Sequence, residues 1–445
     1  MNKDIFKAYD VRGRVGTELN AETSEQIGRA FADWLPESGV VAVGRDMRPD
    51  SAELASALIN GLRLQGRDVW DIGEVTSDMI YFAVGNFGLA GGAMVTASHN
   101  PGEYNGIKLC REQAKPIGIE TGLAEIRDAA ADDIFAPAAV EGELTEKDVR
   151  VDWIQHALSF VDPEKWLKYK VPIDAGNGMA GAIIPAMEQF VPLQITPLYF
   201  ELDGTFPNHI ANPMVPENLK DIQAKIAEEQ ADFGIAFDGD GDRAVLIDEK
   251  GEPLSGTVMT AILAAYFLRK HPGATVLYNA ICGRIVPETV EKNGGKSFRT
   301  KVGHSFIKAE MRDHDAVFAG EHSGHYYFKD NYYADSGLIA AVVAIQALAD
   351  SGKKLSELAA EFRVYPTITE TNFEVTDKDE ILERIKNEFT DGDQDELDGL
   401  TVSYPTKWFN VRASNTEPVM RLNAEAATEA ELSELVNRVK KVIQK

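Results

Sequence analysis

One order of elements, strand–helix–strand–helix–strand, runs through this chain three times and constrains its fold more than any other feature. The first copy spans strand 40–43, helix 51–64, strand 68–72, helix 78–87 and strand 93–96. The second spans strand 171–174, helix 180–190, strand 194–202, helix 218–231 and strand 233–237. The third spans strand 275–279, helix 284–293, strand 296–301, helix 306–314 and strand 316–319. Helices are read from apolar spacing such as Leu54, Leu58 and Leu62, and strands from short β-branched runs bounded by Gly or Asp. Such alternation predicts α/β domains with mixed, largely parallel sheets. The third strand of each copy ends in a polar loop: 96–101, 238–243 and 320–325. Sheets of this kind bind ligands beyond the carboxyl ends of their strands, so the three loops are expected around one cleft.

At 445 residues the chain is too long for one core. Four domains are expected, at 1–146, 147–252, 253–365 and 366–445, with an Ala/Asp/Glu-rich linker at 128–146. The last has a different character, with strand 371–375 and helices 379–389 and 429–443, and reads as a smaller α+β domain. A net charge of −26 argues against nucleic-acid and anionic-membrane partners, and requires a local Arg/Lys cluster for any anionic substrate. The longest apolar run, 337–349, is too short for a bilayer and is broken by Gln346, and the N-terminal residues lack an apolar signal region. Two cysteines, Cys110 and Cys282, cannot form a disulfide framework, which suits buried thiols in a reducing cytoplasm.

Asp238, Asp240 and Asp242 are separated by single glycines. Three carboxylates so close repel one another unless a cation lies among them, and hard oxygen ligands suit Mg²⁺ or Ca²⁺ over zinc. An EF-hand loop, with Glu249 at its twelfth position, is disfavoured because Arg243 stands where glycine is needed; a solvated acidic turn is the plain alternative. Ser98 follows a strand, lacks a G-x-S-x-G context, and has His99 beside it, a side chain expected to point away on extended backbone. Near a cation, such a serine fits phosphoryl chemistry better than acyl transfer, against the alternative of a turn serine bonding its own backbone. Arg412, Ser414, Asn415 and Thr416 offer either a phosphate cradle or a capping turn. Glu321 and Ser323 could hold neighbouring sugar hydroxyls. The segment Gly176-Asn-Gly178-Met-Ala-Gly181, with Glu201 downstream, matches a dinucleotide fingerprint on paper, yet leaves the aspartates, the serine loop and the cradle unexplained.

Taken together, Ala8–Gly13, Gly44–Asp46, Thr96–Pro101 with Tyr104–Lys108, Asp238–Arg243, Lys301–His304, Gly320–His325 and Arg412–Pro418 resemble, in order, the α-D-phosphohexomutase family. The likeness is greatest to its bacterial phosphomannomutase/phosphoglucomutase branch. It implies three related α/β domains and a smaller C-terminal domain around a central cleft. It also implies that Ser98 is a phosphoserine that helps bind Mg²⁺ with Asp238, Asp240 and Asp242, and that hexose 1,6-bisphosphate is the intermediate. Glu321 and Ser323 would hold sugar hydroxyls, and Arg412, Ser414, Asn415 and Thr416, with Arg421, the non-reacting phosphate. Tyr9, Arg12, Lys108, Arg243, Arg284 and His304 would line the cleft, Lys108 and His304 as the proton-handling pair. The partners implied are small hexose phosphates, in a cytoplasmic monomer or homodimer. His322 stands where related mannose/glucose enzymes carry Met and glucosamine enzymes Gln, which leaves a phosphoglucosamine mutase open. A Mg-dependent serine phosphatase, a non-catalytic sugar-phosphate sensor and an NAD-dependent dehydrogenase are the further alternatives.

Overall fold

A computed structural model describes residues 1–36, 38–375, 377–413 and 419–444. In the first sheet Gly91–Val95, Val41–Arg45, Val69–Glu74 and Leu144–Glu146 run parallel in that order. Tyr104–Arg111 and then Val11–Arg14 add to it antiparallel. The second sheet is ordered Ala244–Asp248, Phe233–Phe237, Lys170–Asp174, Gln194–Leu198. The third is ordered Lys296–Thr300, Thr275–Asn279, Phe318–Gly320, Tyr326–Phe328, Ala334–Asp335. The fourth, Thr371–Glu374, Val419–Ala426, Lys407–Ala413, Leu400–Ser403 and Asp393–Asp395, is antiparallel throughout. Three α/β domains and a C-terminal domain result.

The expected helices and strands of all three copies are present, with ends shifted by a few residues. Helix Ser51–Leu64 buries Leu54, Leu58 and Leu62, the stripe its spacing implies. Gly91–Val95 is buried along its whole length, as expected of a strand covered on both faces. The segment 128–146 is less of a linker than expected. Helix Leu123–Asp132 runs into it, and Leu144–Glu146 pairs in parallel with Val69–Glu74 as the sheet edge.

The apolar run after Ser336 forms the buried helix Gly337–Ser351, capped by Ser336 Oγ accepting from Ile339 N at 3.0 Å. Fifteen residues span about 22 Å, short of a bilayer core. Among the described residues no helix is long and apolar enough to cross a membrane. Helices Gly337–Ser351 and Gly256–Lys270 belong to one apolar core that also takes Phe82 and Met94 from the first domain and Ile173, Phe233 and Leu246 from the second. The C-terminal domain has its own core, around Ile385, Phe409, Leu422 and Val439. Cys110 and Cys282 are free and buried.

Asp78 lies fully buried where the first and third domains meet, accepting hydrogen bonds from Thr76 Oγ1 and, at 2.6 Å, from Ser336 Oγ. Burial pushes its carboxyl up to about 8, against the help of those hydroxyls. The folded state therefore retains a proton that the unfolded chain releases near pH 4. The associated stability is complete below that pH and is lost as pH rises toward 8. Asp78→Asn is expected to gain on the wild type with rising pH, by at most about 1.4 kcal/mol per pH unit. Urea midpoints at pH 6 and pH 8 check this; identical pH dependence of the two proteins would contradict it.

Candidate active site

Each reactive loop joins the third strand of a copy to an antiparallel return strand. The pairs are Gly91–Val95 with Tyr104–Arg111, Phe233–Phe237 with Ala244–Asp248, and Phe318–Gly320 with Tyr326–Phe328. The loops are thus short connections clamped at both ends by sheet hydrogen bonds.

In 238–243 the backbone closes on itself. Arg243 N donates to Asp238 Oδ1 at 3.1 Å and Gly241 N to Asp238 O at 3.2 Å. Gly241 has φ +74°, and a Cβ on Gly239 would stand 2.6 Å from Ser98 O, so only glycine serves at either position. The three aspartates each offer an oxygen within 4.8 Å of the others. Asp240 Oδ1 and Asp242 Oδ1 are buried without a hydrogen-bond partner among the described residues. Their other oxygens are taken by Lys108 Nζ, at 2.6 Å and 2.7 Å. Orphaned carboxylate oxygens facing a shared space fit a hard cation, so this cluster could hold a metal ion.

Electrostatics agree. Burial, then the neighbouring Asp242, raises the Asp238 carboxyl to about 7, and a bound cation would release that proton. Burial also disfavours charge on Asp240, but Lys108 outweighs it and holds the carboxyl below its ordinary range. Conversely, burial disfavours the Lys108 ammonium, but Asp240 and Asp242 hold it well above the usual lysine range. Glu249 is bound to Ser356, which gives 3.1 Å from N and 2.6 Å from Oγ, away from the aspartates.

Ser98 Oγ donates to Asp238 Oδ2 at 3.1 Å. The residue is 5% exposed and has φ +51°, left-handed rather than extended. For that reason His99 does not point away as expected: its Nδ1 lies 3.1 Å from Ser98 Oγ. Burial, then Arg243, keeps the His99 imidazole well below its usual range and therefore neutral. Arg243 Nε donates to Asp238 Oδ2 at 3.0 Å, so serine, aspartate and arginine share one carboxylate oxygen. Arg12 reaches the same loop, with Nη1 2.6 Å from Asn100 Oδ1.

Tyr9 packs edge-on against His304, centroids 5.2 Å apart. Burial raises its phenol, followed by Asp398 and Glu321, while Arg412 lowers it; Tyr9 thus stands among groups of the third and fourth domains. Burial, then Lys308, lowers the His304 imidazole well below its usual range. Glu321 is nearly fully buried and accepts from Tyr327 Oη and, at 3.0 Å, from Asn279 Nδ2, which fixes its carboxylate. Ser323 is half-buried two residues on.

Arg412 Nη2 and Arg421 Nη1 both face Glu370, at 3.2 Å and 3.5 Å. Ser414, Asn415 and Thr416 lie outside the described residues. Arg284, expected to line the cleft, sits between the third and fourth domains. It donates to Pro405 O at 2.7 Å and Tyr404 O at 2.6 Å.

Sequence reasoning missed His325, whose Nδ1 is 3.0 Å from Asp335 Oδ2 and 3.7 Å from Asp242 Oδ1. Its place at the end of 320–325 was the available signal. The paper match to a dinucleotide fingerprint has another explanation: Met179 N donates to Gly239 O at 2.9 Å, and a Cβ on Gly178 would stand 2.8 Å from that same oxygen. These glycines seat the aspartate loop.

Four family models match the chain, described as phosphoglucomutase/phosphomannomutase alpha/beta/alpha domains I, II and III and C-terminal domain. They cover residues 3–136, 151–251, 255–365 and 370–442. The chain is 42% identical to a protein of Xanthomonas campestris described as phosphohexose mutases, over 98% of this chain and 97% of that one. It is 39% identical to a phosphomannomutase of Salmonella montevideo, over 100% and 99%. A crystal structure of a phosphoglucomutase/phosphomannomutase family protein from Burkholderia thailandensis superposes with a TM-score of 0.91 at 31% identity, covering 100% of this chain and 98% of that one. With the serine, the carboxylate triad and the 320–325 loop set on matching hairpins, the chain belongs to the phosphoglucomutase/phosphomannomutase family and is an isomerase of the phosphohexomutase type.

Proposed function

We propose that this protein interconverts the 1- and 6-phosphates of mannose, glucose or both, through a phosphoserine at Ser98 and a hexose 1,6-bisphosphate. The observation that carries the proposal is the 3.1 Å approach of Ser98 Oγ to Asp238, inside a carboxylate triad with two orphaned oxygens. Mg²⁺, held by Asp238, Asp240 and Asp242, would offset phosphate charge and keep the reacting oxygens in line.

The phosphoryl group on Ser98 passes to O6 of a hexose 1-phosphate. A P–O6 bond forms, the P–Oγ bond breaks, the O6 proton leaves to a base, and the departing Ser98 Oγ takes up a proton. His304, held neutral, suits that acceptor, while Lys108, held as an ammonium, supplies fixed positive charge. The bisphosphate turns over in the cleft and returns its 1-phosphoryl group to Ser98: a P–Oγ bond forms as P–O1 breaks, the Oγ proton leaves, and the anomeric oxygen takes up a proton. Glu321 and Ser323 would grip sugar hydroxyls in both poses, with Arg412 and Arg421, and the adjoining Ser414, Asn415 and Thr416, holding the idle phosphate. Arg12 and Arg243 complete a local positive field that the −26 total lacks, with Tyr9 beside them lining the cleft.

The test is turnover on mannose, glucose and glucosamine 1-phosphates with Mg²⁺ and a trace of bisphosphate. Mannose or glucose 6-phosphate is expected at least tenfold faster than glucosamine 6-phosphate, a difference of about 1.4 kcal/mol in transition-state binding. A preference for glucosamine would overturn the sugar assignment, and free phosphate without any sugar 6-phosphate would indicate a phosphatase.

A further inference from the structure

Ser98 is held in a backbone conformation that a serine rarely adopts unaided, with φ +51°. The groups that hold it come chiefly from one side chain. Arg48, 3% exposed, spends its guanidinium on the serine loop. Nη2 donates to Ser98 O at 2.8 Å and Asn100 O at 2.6 Å, and Nη1 to Pro101 O and Tyr104 O, both at 2.9 Å. Nε donates to Asp46 Oδ2 at 3.2 Å, so all five N–H donors are engaged. Asp46 in turn accepts from Thr96 Oγ1 at 2.6 Å, and that hydroxyl accepts Ser98 N at 2.9 Å. The serine peptide is thus gripped at its N–H and its C=O by one buried network. The guanidinium also lies 5.2 Å from the centroid of Phe206, a residue of the second domain, which ties the loop to the domain carrying the aspartates.

We propose that Arg48 is a positioning residue for phosphoryl transfer: its fork holds the 98–104 loop in the one geometry that aims Ser98 Oγ at Asp238. A lysine would keep the charge but could not hold four carbonyls at once. The proposal rests on Ser98 being the group that carries phosphate.

Arg48→Lys is expected to lower kcat about 100-fold with KM within about threefold, the signature of a misplaced reacting group. Phosphorylation of Ser98 by glucose 1,6-bisphosphate should slow by a similar factor, and more of the bound phosphoryl group should be lost to water per turnover. Guanidinium ion added to Arg48→Ala should restore part of the rate, which a role limited to fold stability would not predict. Phe206→Leu, which keeps Arg48 but removes the ring against which its fork is seated and so loosens the fork, should lie between wild type and Arg48→Lys, and it decides the matter if the Arg48 variants do not fold. Wild-type kcat in a folded Arg48→Lys, or in Phe206→Leu where Arg48→Lys cannot be made, overturns the proposal. A wild-type rate in Ser98→Ala would instead remove the phosphoserine on which the proposal depends.

Discussion

Ser98→Ala is expected to lower turnover by about 10⁴-fold or more, because the hydroxyl proposed to carry the phosphoryl group is gone and no neighbour can replace it in position. The fold should survive. Ser98 Oγ makes 3.1 Å contacts to Asp238 and His99, and losing them costs on the order of 1 kcal/mol. Steady-state assays with mannose 1-phosphate and bisphosphate, alongside intact-mass measurement of the phosphoryl adduct, separate chemistry from stability. Turnover in the variant above a tenth of wild type would contradict the assignment.

Asp240→Asn should have the second-largest effect. The change keeps the shape of the side chain but removes one of two carboxylates that hold Lys108 Nζ, and one of two orphaned oxygens that face the cation space. A rate loss of about 10³-fold is expected from weakened charge neutralisation at the transferring phosphate. Wild-type protein should melt at a higher temperature on addition of Mg²⁺, gaining about 2.7 kcal/mol at a hundredfold excess over Kd. The variant should respond little. Equal Mg²⁺ stabilisation of both proteins would mean that the cation binds elsewhere.

Much of this architecture was legible before any coordinates. Strand–helix alternation is periodic, and each copy ends in a loop whose residues are chemically distinct. The return strands Ala244–Asp248 and Tyr326–Phe328 were not, because a buried apolar run after a turn has no period of its own, nor was Tyr104–Arg111, whose apolar pattern is broken by Asn105, Lys108 and Arg111. Helix Gly256–Lys270 escaped for a related reason: it is buried all round and lacks a polar stripe.

Within the site, residue types were readable and their partners were not. Asp238, Asp240 and Asp242 announce a cation by spacing alone, whereas the pairing of Lys108 with two of them depends on strands from different sheets. Ser98 was placed on extended backbone, so the approach of His99 was misjudged; only the buried grip on its peptide reveals the left-handed turn. Arg284 has the right charge for a cleft, but its neighbours in space are carbonyls brought in by the last domain.

The two kinds of junction in this molecule differ in how easily they part. The first three lobes are fused by a common oily interior, and separating them would expose it to water. The final lobe meets the rest through polar links: Arg284 on Tyr404 and Pro405, Arg299 with Asp395 at 2.7 Å, and Val302 N on Asp398 at 2.8 Å. Water can replace each of these links at modest cost. The last lobe is therefore the one that parts most readily from the other three, which stand as one block, and Arg412 and Arg421 belong to it.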